Sequence, residues 1–167
     1  MKTEDKKCRP QRRPADLGRK NNKTYVAKSG DIDRKWHKIN VAGKVLGRQA
    51  TQIACLLMGK DKSYFTRRMD GGDYIVVVNA SQVCLTGRKE EQKFYKHYSG
   101  YPGGQKIISY KKMLKDHPDK VIRHAVRGML PKNKLRSQML KRLFVFAGEE
   151  HPYAEKFKEQ NSKLKTS

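Results

Sequence analysis

From His117 to Arg142 the chain reads HPDKVIRHAVRGMLPKNKLRSQMLKR, and this stretch restricts the possible folds more than any other. One set of its residues demands burial, while a set interleaved with it demands water or an anionic partner. Val121, Ile122, Ala125, Val126, Met129 and Leu130 recur at helical spacing and predict a single apolar stripe. Asp116 or His117 is placed to cap that helix, and Pro118 falls in its first turn, where the missing N–H costs nothing. Lys120, Arg123, His124 and Arg127 occupy the opposite side. Gly128 and Pro131 are expected to end the helix, and Asn133 to cap a second one holding Leu135, Met139, Leu140 and Leu143. Between the two lies a cationic elbow. From Lys111 to Arg142 eleven Lys or Arg face only Asp116 and Asp119, more positive charge than solubility requires.

The whole chain repeats that imbalance. Its 167 residues, enough for one domain with a packed centre, carry 39 Lys or Arg against 16 Asp or Glu, a formal charge of +23. A nucleic-acid partner is expected. No apolar run approaches the length of a membrane span, and no signal-peptide core follows Met1. Cys8, Cys55 and Cys84 are odd in number and widely spaced, which suits a reducing compartment and argues against a disulfide framework or a zinc ribbon.

In chain order, residues 1–35 hold twelve Lys or Arg against five acids and few large apolar side chains, so an arm that orders on RNA is expected there. A strand is expected over 36–41 and a helix over 47–58, closed by Gly59. Arg48 at the start of that helix opposes its dipole, and its charge is read as directed at a ligand. A basic loop, KDKSYFTRRMDGG, follows from Lys60 to Gly72. Asp73 to Ala80 then supplies a continuous β-branched run, the pattern of a central strand covered on both faces. Asp70 and Asp73 are read as ion-paired with Arg67 and Arg68 rather than as a metal or catalytic pair. Lys89, Lys93, Lys96 and His97 interleave with Phe94, Tyr95 and Tyr98, which suits RNA, although Phe94 itself is expected in the core. The run from Gly100 to Gly104 is a turn without dinucleotide-site spacing. Ser109 is expected to cap a short helix. Residues 143–146 read as a last strand, and 149–167 as a polar tail.

Several motifs together resemble one family. Gly43-Lys44-Val45-Leu46-Gly47-Arg48, Gly72-Asp73-Tyr74 with Val78-Asn79-Ala80, the run His97 to Gly104, Val126-Arg127-Gly128-Met129-Leu130-Pro131-Lys132-Asn133, and Ala147-Gly148-Glu149-Glu150-His151-Pro152 stand in the order seen in the bacterial-type large-subunit ribosomal protein L-thirteen, over about residues 23–153. The resemblance implies a three-layer α/β/α domain around a small, mainly parallel sheet, here 36–148 with basic terminal extensions. It also implies binding to large-subunit ribosomal RNA beside neighbouring ribosomal proteins, with no catalysis, cofactor, metal or small-molecule substrate. By the same resemblance Arg127, Lys132, the turn with Tyr101, and the loop carrying Lys60, Lys62, Arg67 and Arg68 face RNA. This chain has Leu135-Arg136-Ser137 where the family has Leu-Gly-Arg, so the elbow contact is expected from Arg136, or from Lys134 and Arg142. The longer termini are a feature of organellar versions, so both the bacterial cytoplasm and the mitochondrial matrix fit. A free regulator of messenger RNA is the alternative reading.

Overall fold

A computed structural model describes residues 27, 28, 30 and 32–157. The expected RNA-ordered arm therefore lies mostly outside the described residues. In chain order the elements are β1 (Trp36–Asn40), α1 (Leu46–Met58), β2 (Tyr74–Val78), α2 (Lys89–Gln92), β3 (Phe94–Tyr98), β4 (Gln105–Ser109), α3 (Tyr110–Asp116), α4 (Pro118–Met129), α5 (Leu135–Lys141) and β5 (Leu143–Val145). The main sheet is three-stranded and parallel, ordered β1-β2-β5, with Ile75 opposite His37 on one side and Leu143 on the other. The β-branched run is thus the central strand, and Ile75, Val76, Val77 and Val78 are all buried.

Alternation divides those four residues between two faces. Ile75 and Val77 join Leu46, Ile53 and Leu57 of α1, Val121, Ile122 and Val126 of α4, and Leu143 in one core. On the other face Trp36 stacks on Tyr74, with ring centroids 4.5 Å apart, and Tyr153 packs against both Trp36 and Phe144. Phe157, in a helical turn over 154–157, meets the edge of Trp36. Residues 149–157, read from sequence as the start of a polar tail, therefore contribute the aromatic cover of the sheet's second face.

Local signals set most element ends. Gly59 closes α1 in the left-handed region, φ 73°, where a side chain would be strained. Ser109 accepts the Lys112 N–H at 3.5 Å, a long cap for α3. Pro118 opens α4, but its cap residue His117 makes no side-chain hydrogen bond, and the helix continues through Gly128 to Met129. Asn133 Oδ1 accepts the Arg136 N–H at 3.1 Å, so the expected cap of α5 forms.

β3 and β4 make a separate antiparallel hairpin, with Tyr95 opposite Ile108 and Phe94 opposite Ser109. Tyr95 and Ile108 pack on the core, so the pleat turns Phe94 outward, 54% exposed. The expectation of a buried Phe94 is corrected by that register.

Candidate nucleic-acid interface

The basic loop is held by charges that it turns inward. Gly72 approaches α1 so closely that a Cβ there would stand 1.7 Å from the Leu57 carbonyl oxygen. That approach brings Asp70 and Asp73 under the sheet, where both are buried. Arg142 donates both terminal guanidinium nitrogens to the Asp70 carboxylate, and further N–H groups to the carbonyls of Leu57 and Asp73. Lys62 Nζ donates to Asp73 Oδ1 at 2.5 Å and to the Asp33 carbonyl. His37 Nε2 lies 2.9 Å from Asp73 Oδ2, and the Lys35 N–H donates to Oδ1 at 3.0 Å. Burial alone would raise the Asp73 carboxyl, but the hydrogen bonds from His37, Lys62 and the Lys35 backbone, with the charge of Lys62, hold it at about 2.

Two expected RNA contacts are corrected by this network. Arg142 is 5% exposed with all three guanidinium nitrogens engaged, and the Lys62 side chain is 14% exposed against Asp73. Neither presents a charge to a ligand. The acids are ion-paired, as expected, but their partners are Arg142 and Lys62 instead of Arg67 and Arg68, with His37 in hydrogen-bond reach of Asp73. Arg67 and Arg68 remain exposed.

Two groups of the other cations border clefts. The loop and the elbow face each other across a cleft of about 360 Å³ whose wall includes Lys60, Arg67, Pro131 and Asn133. Lys132 and Lys134 flank it in sequence and are exposed, while Arg136 is half-buried at the first turn of α5. The second group lies along the outer side of α4. Lys120, Arg123, His124 and Arg127 surround a cleft of about 240 Å³ closed by Leu140. His124 also meets Tyr95 of the hairpin at 5.5 Å between rings, and Lys93 lies over that same ring at 5.5 Å. Burial lowers the Lys93 ammonium and raises the Tyr95 phenol from their ordinary values. Beyond them Lys96, His97, Tyr98 and Tyr101 stand exposed along the hairpin, with Lys89 in α2. Arg48 is exposed on the first turn of α1, which has no acid to offset it.

Among the described residues, none of Arg48, Lys60, Arg67, Arg68, Arg127, Lys132, Lys134 or Arg136 belongs to an ion pair. A cation whose partner is missing from its own chain is available to an external anion, and backbone phosphates are the anions that occur in extended arrays. The sequence shows Lys120 and Arg123 only as part of a polar helix side, and their place beside Arg127 follows from their spacing of three and four on one face. Among the described residues no cluster of three His, Cys, Asp or Glu side chains could hold a metal ion, and no helix is long and apolar enough to cross a membrane.

Comparison with known proteins places these features in a family. Residues 34–152 match the family model described as Ribosomal protein L13. The chain is 55% identical over 132 residues to the large ribosomal subunit protein uL13 of Clostridioides difficile, an alignment covering 79% of this chain and 92% of that protein. It is 56% identical over 131 residues to the protein of the same name from Caldanaerobacter subterraneus, covering 78% and 92%. The Chloroflexus aggregans protein is 53% identical over 132 residues, covering 79% and 92%.

Proposed function

The chain belongs to the ribosomal protein L13 family, and from that premise we propose that it is a structural constituent of the large ribosomal subunit that binds large-subunit ribosomal RNA and supports subunit assembly. The carrying observation is the match across residues 34–152, the span that includes both cationic groups. The mechanism is positional. A sheet buried on both faces holds the loop, the elbow and the hairpin at fixed separations, so the phosphates they neutralise are fixed relative to one another. Arg48, Lys60, Arg67, Arg68, Arg127, Lys132, Lys134 and Arg136 are the phosphate ligands of this reading. Lys89, Lys93, Lys96 and His97 with Tyr101 serve the hairpin's contact. The family implies a structural rather than an enzymatic role, and the basic residues 1–35 are assigned to contact with the same RNA.

The named relatives are bacterial proteins, which supports a bacterial-type large subunit and the bacterial cytoplasm as its compartment. Neighbouring large-subunit proteins are the expected protein partners. A free messenger-RNA regulator gains no support from these relatives. Sedimentation tests the proposal: the protein should remain with large subunits through a high-salt wash, and recovery only at the top of the gradient would refute it.

A further inference from the structure

Phosphate binding accounts for the cations around the elbow, but not for what lies between them. Met58, Met69, Met129, Met139 and Phe65 line the cleft between loop and elbow, so four of the chain's six methionines meet there. Phe65 is left 38% and Met129 42% exposed. The sequence pattern places Met129 on the buried stripe of α4, but the helix carries it past the edge of the core and into this cleft. An apolar floor open to water is unfavourable, and a purely electrostatic contact does not need one. Unbranched, polarisable thioethers instead form a surface that accepts a flat ring. Thr51 Oγ1 donates to the Met129 sulfur at 3.5 Å and steadies it.

The rim selects the occupant. Lys60 and Arg67 border the apolar floor, Thr66 adds a hydroxyl, and Asn133 uses its Oδ1 on the Arg136 N–H, which leaves its amide nitrogen as a donor. A flat apolar body with hydrogen-bonding edges and flanking negative charge fits that combination. Paired bases are hidden in the stack, whereas unpaired ones can be splayed onto a protein surface. An apolar anchor from a protein would fill the floor but use the two cations only where acids happen to flank it, whereas every nucleotide of an RNA carries a phosphate beside its ring.

We propose that this cleft takes one unpaired nucleobase of the large-subunit RNA, its ring on the methionine and phenylalanine floor and its neighbouring phosphates on Lys60 and Arg67. The proposal rests on the RNA-binding reading above and adds a base contact to it. The test is photo-crosslinking of the full-length protein to large-subunit RNA fragments substituted with 4-thiouridine or 6-thioguanosine, with salt titrations of variants alongside. Crosslinked peptides should contain Phe65 or Met129. Met129→Gln and Phe65→Gln should each weaken binding roughly tenfold, as loss of one stacked base does, without changing the slope of log affinity against log salt. Lys60→Ala should lower that slope. Thermal melting checks that the variants fold, and the crosslink on the parent chain requires no variant. Unchanged affinity in both glutamine variants, with Lys60→Ala still lowering the slope, overturns the base contact and leaves the RNA reading intact. Loss of RNA binding by the parent itself would overturn both readings. Crosslinks from residue 129 to a neighbouring protein in assembled subunits would mean a protein fills the cleft and the proposal is wrong.

Discussion

Arg127 and Arg142 come from the same basic stretch, yet the fold gives them opposite surroundings. Arg142 enters the base of the sheet, where Asp70 and two backbone carbonyls take up its donors. Arg127 stands on the outer side of α4 among Lys120, Arg123 and His124, and it pairs with no acid among the described residues. Lys62 and Lys60 divide in the same way, one bound to Asp73 and the other exposed. The basic residues therefore include a small inward set that closes the loop against the sheet and a larger outward set that has no acidic partner among the described residues. Residue type and local charge density are alike in the two sets. What separates them is whether a buried carboxylate has been folded to within reach.

The most severe way to test that division is Arg142→Ala. It strands the Asp70 carboxylate in the core, and breaking one side of a buried pair costs about 3–5 kcal/mol. Urea unfolding should show that loss, and RNA affinity should fall only where the domain unfolds. If Arg142→Ala melts like the parent, the inward set is not structural. Arg127→Glu should do the reverse, weakening RNA binding by about 1.5–3 kcal/mol in a filter assay while the melting temperature stays close to that of the parent.

Acid sharpens the comparison further. The Asp73 carboxyl is held at about 2 in the folded chain against an ordinary value of 3.8, so below the ordinary value the unfolded chain takes up the proton first. Its contribution is complete above pH 4 and disappears as pH falls from about 4 to about 2. The shift is worth about 2 kcal/mol, and denaturant midpoints measured across that window should drop in the parent but far less in Asp73→Asn. Smallest of all, Lys132→Ala should reduce the salt slope of RNA binding by about one contact and leave folding untouched. An unchanged slope would remove Lys132 from the outward set.

The sheet and helices were legible because their signals are local. A β-branched run bounded by Asp and Asn, a 3.6-residue apolar period and the punctuation by Gly59 and Pro118 each act within one element. The inward charges were not, because Asp70 meets an arginine 72 positions later, and nothing near Asp70 distinguishes that partner from Arg67. Phe94 was misjudged for a related reason. A two-stranded ribbon has one covered face, and only the pairing of Tyr95 with Ile108 decides which parity is inside. The methionine floor escaped notice because its members come from four separate parts of the chain. Tyr153 and Phe157 were obscured by the charged residues around them.

The strand order β1-β2-β5 has a further consequence during synthesis. β1 and β2 are both present once the chain has been made through Val78, but β5 is not available until Val145 has followed. Through all the intervening residues β2 keeps one open edge, Leu143 is missing from the core, and Asp70 lacks its arginine. The sheet is closed by its last strand, which follows the cationic elbow closely in the chain. Long-range parallel pairing of this kind is slow and leaves apolar edges uncovered while it waits. The docking of β5 supplies both the second edge partner of β2 and the Leu143 side chain of the core.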